Sequence, residues 1–270
     1  MFSHALVAVD FSPAWPVLKA RLEHLRALGA DHVTLVYVLS SRYPAVPEEG
    51  HRAHYEERLC GEAAGLQGMG YSVDIQVRVG EPGMEVVAAA RQVDADFILL
   101  GSHGHSRVFQ FFLGSTAMDT ARLTSIPLWL EPVRAGSATE CSGIVLLATD
   151  GSRAAEAAEQ CFRMLAPRMR QAVAATATCA SEGCEREIAD ARAHLDTVAE
   201  GVPNVETRVL DGDPRTVIVD LARELPAEVI IIGKRGRSAI PELLLGSTAE
   251  AVCHGAHRPV LLVPNPQGTV

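Results

Sequence analysis

The sequence has no apolar run long enough to cross a bilayer as a helix. Its opening, MFSHALVAVDFSP, has no basic stretch before the apolar residues and reaches Asp10 early. It therefore reads as a first strand and not as a secretory leader, and the expectation is a cytoplasmic protein without a membrane partner. A basic excess is also missing. The net charge is −9 and the pI about 5.6, which argues against a general nucleic-acid binder but leaves room for a local anion site. Only 21% of residues are charged and 48% are hydrophobic, so extended disorder is excluded and a substantial core is expected. None of the six cysteines (Cys60, Cys141, Cys161, Cys179, Cys184, Cys253) sits in a CxxC pair. The Cys179/Cys184 spacing has no second pair to complete a metal site, so the cysteines read as ordinary reduced thiols. His51 and His54 fall in a polar segment and read as solvated, and no metal is expected. Two phosphate signatures are lacking as well: GKRG at Gly233 does not fit GxxxxGK[ST], and no GxGxxG follows the first strand.

What the sequence does contain is a repeat. ALVAVDFS at 5–12 answers to VLLATDGS at 145–152, an offset of 140. The second strands, HVTLVYVLS and AVAATATCA, match at the same offset. From VRVGEP against RVLDGDP onward the offset is 132, with Gly80 answering to Gly212. FILLGSHGHS then answers to VIIIGKRGRS, LGSTA recurs, and IPLWLEP answers to RPVLLVP. Eight residues are therefore missing from the second copy, and the loss is expected after its second strand, in a surface loop and helix start. Two domains follow, residues 1–134 and 143–270, joined by the small, polar RAGSATECSG.

Each copy alternates short apolar runs with amphipathic stretches. ALVAVD, HVTLVYVL, VDIQVRV, FILLG and PLWLEP are apolar without strict alternation, as strands covered on both faces should be. Ser12–Pro13 and Gly29 bracket a helix between the first two. Strand–helix alternation implies right-handed crossovers, hence an α/β fold: two tandem doubly wound domains, each a parallel sheet with helices on both faces.

In such a sheet, ligands sit beyond the carboxyl ends of the strands. GSHG follows the fourth strand, and GST ten residues later opens a helix whose N-terminus attracts anions. Glycine lets the backbone approach a ligand closely. Gly101, Gly104 and Gly114, with Ser115 and Thr116, read as a backbone cradle for a polyphosphate. Gly233, Gly236 and Gly246, with Ser247 and Thr248, repeat it. A plainer use stands beside this one: the glycines serve loops and Ser115 caps a helix. Asp10 and Asp150 end their first strands, facing the same crevice. Each either contacts a ribose hydroxyl or a magnesium ion, or orients the turn with Ser12 or Ser152.

These residues resemble the universal stress protein family, whose nucleotide-binding members carry G-x2-G-x9-G-[ST]. That pattern is present at Gly101, Gly104, Gly114 and Ser115, and again at Gly233, Gly236, Gly246 and Ser247. The resemblance covers nearly the whole chain. It implies five parallel strands per domain in the order 3-2-1-4-5, and ATP, with or without Mg2+, across strands one, two and four. It implies that Asp10 and Asp150 approach the ribose or metal and that the Val38 backbone meets adenine, with Thr178 in its place in the second copy. The glycine loops and the two hydroxyl pairs would hold phosphates. Relatives dimerise through the fifth strand, so PLWLEP and PVLLVP could pair within the chain, or the chain could form a homodimer. There are departures: His103, His105 and Arg107 surround the first loop, and Lys234, Arg235 and Arg237 the second. On charge alone the second copy should hold phosphate more strongly, whereas its second strand, AVAATATCA, is poor in large apolar residues and should pack adenine less tightly, so the two sites are expected to be unequal, in an order the sequence leaves open.

Three functions are consistent with this reading. The first is a nucleotide-dependent stress-response or signalling module with an unidentified protein partner. The second is a slow ATPase, or self-phosphorylation at Ser115 or Ser247, although no general base is evident. The third is a dimer-like scaffold without nucleotide. The ATP-dependent carboxylate-activating signatures HIGH and SGGxDS are absent.

Overall fold

A computed structural model describes residues 2–40, 48–103, 113–133, 142–178, 185–237 and 245–265. The chain divides into two compact units, Met1–Thr139 and Glu140–Val270.

The first unit runs β1 (His4–Ala8), α1 (Ala14–Ala27), β2 (His32–Ser40), α2 (Glu48–Gly68), β3 (Ser72–Gly80), α3 (Pro82–Gln92), β4 (Phe97–Gly101), α4 (Ser115–Leu123) and β5 (Leu128–Glu131). Its strands are all parallel, in the order β3-β2-β1-β4-β5. The second unit runs β6 (Ile144–Ala148), α5 (Glu156–Leu165), β7 (Gln171–Thr178), α6 (Glu185–Ala199), β8 (Val205–Asp211), α7 (Pro214–Glu224), β9 (Val229–Gly233), α8 (Ser247–Gly255) and β10 (Val260–Val263). Its strands take the matching order β8-β7-β6-β9-β10, again parallel. Each unit is thus a doubly wound α/β domain. The crossovers diverge between β1 and β4, and between β6 and β9, so each crevice opens at the carboxyl ends of those strands.

Local chemistry starts the elements where they start. Every residue of β4, β6 and β9 is buried, because helices cover both faces. Pro82 and Pro214 each open a helix one residue after an extended cap, and the Asp213 carboxylate accepts the Arg215 N–H at 2.9 Å. Both helices follow glycines at positive φ, Gly80 (153°) and Gly212 (132°). Beneath β5, Arg21 and Glu131 form a buried ion pair, with side chains only 2% and 3% exposed.

The ladders correct one sequence expectation. Ala5 pairs with Val33, 28 residues on, whereas Val145 pairs with Ala172, 27 residues on. Val33 pairs with Val73 and Ala172 with Val205, 40 and 33 residues on. One residue of the deficit is therefore lost before β7 and seven after it. The second strands correspond at an offset of 139, not 140, and the structural counterpart of Val38 is Ala177, while Thr178 answers to Leu39.

Candidate functional site

In the first unit the chain leaves β1 through a turn built by its own side chains. Asp10 Oδ1 accepts the Ser12 N–H at 2.9 Å, and Ser12 Oγ accepts the Ala14 N–H at 3.1 Å. On β2, the Val36 carbonyl accepts the Val9 N–H at 2.9 Å. Val38 lies two residues further and presents its backbone to the same side, past the end of β1. Gly101 ends β4; a Cβ there would come within 3.1 Å of both Ala14 Cβ and Val133 Cγ2. The chain returns at Gly114, whose N–H donates to the Ser102 carbonyl at 2.8 Å. Gly114 is the cap of α4, and no side chain caps the helix. Ser115 is therefore the first helical residue, which removes the plainer reading of it as a cap. Among the described residues nothing accepts from the N–H groups of Ser115, Thr116 or Ala117, the orphan donors of a helix start. His103 Nδ1 lies 3.0 Å from Ser102 Oγ. Gly104, His105 and Arg107 lie outside the described residues.

The second unit repeats this frame. Asp150 Oδ1 accepts the Ser152 N–H at 3.0 Å. Gly246 caps α8 without a side-chain bond, and its N–H donates to the Lys234 carbonyl at 3.0 Å. Ser247, Thr248 and Ala249 again offer N–H groups with no acceptor among the described residues. Here the loop closes onto the acid. Asp150 Oδ2 accepts the Arg237 N–H at 2.8 Å, and the Arg237 guanidinium donates to the Asp150 carbonyl at 2.7 Å. Gly236 is glycine for that reason, since a Cβ would collide with Asp150 Oδ2. A Cβ at Gly233 would lie 2.9 Å from the Arg235 carbonyl. The cations are not all displayed to the crevice: Lys234 is buried, Arg235 half-buried, and Arg237 turned onto Asp150.

Thr178 departs from its expected role. Its carbonyl accepts the Gly212 N–H at 2.9 Å, so its backbone faces β8 and not the crevice. The Thr149 N–H donates to the Ala175 carbonyl at 3.0 Å, which turns Ala177 toward the crevice in the manner of Val38.

Two groups beside the crevices escaped the sequence reading. In the first unit, Phe11, Tyr37 and Tyr55 form a ring cluster, with Tyr37 and Tyr55 stacked at 3.8 Å and the Arg58 guanidinium 3.7 Å from the Phe11 centroid. In the second, Thr149 Oγ1 donates to Glu159 Oε1 at 2.5 Å, and His194 Nε2 lies 2.8 Å from the same oxygen. The one available signal was DFS in one copy against DGS in the other. Among the described residues no group of His, Cys, Asp and Glu is arranged to hold a metal ion, and no helix is long and apolar enough to cross a membrane. Cys141, Cys179 and Cys184 lie outside the described residues; His51 and His54 are exposed on α2.

Comparison with known proteins gives consistent results. The Universal stress protein family matches residues 1–132 and again 143–264. A universal stress protein of Methanocaldococcus jannaschii is 40% identical over 63 residues, covering 23% of this chain and 37% of that protein. A second, from Synechocystis, is 40% identical over 55 residues, covering 20% of this chain and 51% of its own length. The chain thus spans about half or less of these curated relatives. Among solved structures, a universal stress protein from Archaeoglobus fulgidus superposes with a TM-score of 0.79 at 21% identity, over 99% of this chain and 98% of that one. At that identity the likeness speaks for the fold alone.

Proposed function

The chain belongs to the universal stress protein family, and on that premise we propose that it binds an adenine nucleotide, ATP with or without Mg2+, as a nucleotide-dependent stress-response or signalling module. One observation supports this above the rest. At each crevice three consecutive main-chain N–H groups, Ser115–Ala117 and Ser247–Ala249, have no acceptor among the described residues and open a helix beside a strand-end acid. Such donors, with the positive end of the helix dipole, suit phosphate oxygens. In this reading the hydroxyls of Ser115, Thr116, Ser247 and Thr248 add donors, and the backbones of Val38 and Ala177 face the base. Asp10 and Asp150 lie where a ribose hydroxyl or a magnesium ion would come, and ATP would supply the negative charge that fills the cradle. His103 and Arg235 flank the phosphate end.

Adding Mg2+ and ATP to the purified protein should raise its melting temperature, by an amount that grows with nucleotide concentration through mass action. Mass spectrometry of small molecules released on denaturation should recover the same ligand class. No shift with ATP, ADP or AMP, together with no released nucleotide, overturns the reading. The proposal extends to assembly through the fifth strands, within the chain or in a homodimer, and to a cytoplasmic location. Light scattering and cell fractionation test these two points.

A further inference from the structure

We propose that Thr149 and Glu159 are positioning residues for the second crevice: a buried hydrogen-bond relay through them sets the turn that carries Asp150, and the first crevice is built without it. This rests on the nucleotide-binding reading and assigns that site two residues that act on a ligand only through Asp150.

The relay starts between α5 and α6. Glu159 and Thr149 are 8% and 6% exposed. Glu159 Oε1 lies 2.5 Å from Thr149 Oγ1 and 2.8 Å from His194 Nε2. A carboxylate only accepts, so the Thr149 hydroxyl gives its single hydrogen to Glu159 and keeps its lone pairs to accept. The Gly151 N–H donates to one of them at 3.1 Å. A hydroxyl free to rotate would turn its hydrogen toward that amide as readily as a lone pair, and Glu159 removes the choice. The next amide, that of Ser152, donates to Asp150 Oδ1 at 3.0 Å, and the Arg237 N–H donates to Oδ2 at 2.8 Å. His194 closes the turn from outside, its ring 3.2 Å from where a Cβ on Gly151 would stand. Asp150 is thus held between a fixed amide behind it and two that aim its carboxylate, and its oxygens keep lone pairs for a ribose hydroxyl or a magnesium ion. An acid set in place beforehand binds without the cost of being ordered by its ligand.

The first crevice lacks these parts. Val9 stands in the place of Thr149, and Lys19 in the place of Glu159. Lys19 pairs with Glu62 at 2.8 Å and lies 5.4 Å from the Trp15 ring centre, so the two helices are tied but the strand end is not. Asp10 Oδ1 takes the Ser12 N–H as Asp150 takes that of Ser152, yet among the described residues nothing takes the Phe11 N–H. A tie between helices accounts for Glu159 with His194. It does not account for a buried hydroxyl that joins this tie to the amide just past the acid.

Equilibrium dialysis with Mg2+ and radiolabelled ATP tests the inference in a Gly114→Val background, which crowds the first cradle and leaves the second to be read. Thr149→Val, which copies Val9, should weaken binding about three- to tenfold. Thr149→Ser, which keeps the hydroxyl, should hold the affinity of the parent. A part confined to stability would lower the melting temperature of Thr149→Val and leave the affinity of the folded protein unchanged. Hydrogen exchange on the unaltered protein needs no substitution: without nucleotide, the Gly151 N–H should be protected at least about tenfold more than the Phe11 N–H. The proposal is overturned, with nucleotide binding left intact, by Thr149→Val binding as tightly as its parent, by Thr149→Ser binding as weakly as Thr149→Val, or by equal protection of the two amides. Loss of all binding in Gly114→Val, where the unaltered protein binds, overturns it too. No binding by the unaltered protein overturns nucleotide binding itself.

Discussion

His194 Nε2 lies 2.8 Å from Glu159 Oε1 and ties α6 to α5 at the positions where Glu62 and Lys19 tie α2 to α1, also at 2.8 Å. The charges are exchanged: the acid sits on the second helix of the first unit and on the first helix of the second. Glu159 also takes the Thr149 hydroxyl, so it anchors the residue before Asp150. Glu159→Lys should set two bases against each other, strand that hydroxyl and cost about 1–3 kcal/mol. Adding His194→Glu restores an ion pair in the first unit's order and should recover most of the loss. A double-mutant cycle in urea, followed by circular dichroism, measures the coupling.

Arg21 and Glu131 have no polar counterparts, since Cys161 and Val263 occupy the equivalent places. Arg21 donates to both Glu131 oxygens, at 2.8 and 3.2 Å, and the Trp129 indole N–H adds a third bond at 3.1 Å. Burial pushes the Glu131 carboxyl up even so, against the pull of Arg21. Arg21→Met leaves a buried carboxylate unpaired and should cost about 3–5 kcal/mol. Arg21→Met with Glu131→Leu should regain most of this, short by about 1 kcal/mol for the indole N–H left without an acceptor. Urea midpoints of the three proteins decide it.

His4 stacks on His32 at 3.9 Å, with planes 5° apart. Burial and the His32 ring hold the His4 imidazole below its usual 6.5, with Asp96 and Asp74 pulling the other way. The unfolded chain therefore takes the proton first as pH falls through 6.5, so this group removes stability between that value and its own lower one. His4→Ile, which copies Ile144, should flatten the decline in the urea midpoint on acidification. An unchanged slope would remove the stack from the account.

Gly236→Ala should drive the Asp150 carboxylate off the loop. The Arg237 amide loses its acceptor and its hydrogen exchange should speed up about tenfold or more, the equivalent of about 1.4 kcal/mol of local protection. Adding Asp150→Ala relieves the clash but not the exchange, which separates crowding from the missing bond.

The glycine spacing, the repeat and the alternation of elements could be read from the chain because each is local. The single residue lost before β7 could not. AVAATATCA is so uniform in size that a shift by one leaves its hydrophobic pattern nearly unchanged, and only pairing with β6 fixes the register. Thr178 was misassigned for that reason. The Phe11–Tyr37–Tyr55 stack joins residues from three elements, and no spacing rule brings these together. Phe11 at φ 54° opposes local preference; the turn in which Asp10 Oδ1 accepts the Ser12 N–H holds it there.

Trp15 and Trp129 are buried at 4% and 0%, and both belong to the first unit. Intrinsic emission therefore watches one half of the molecule only. A melting curve recorded at indole wavelengths would pass over the loosening of the other half in silence. A nucleotide seated there could stabilise it while the optical trace stayed still.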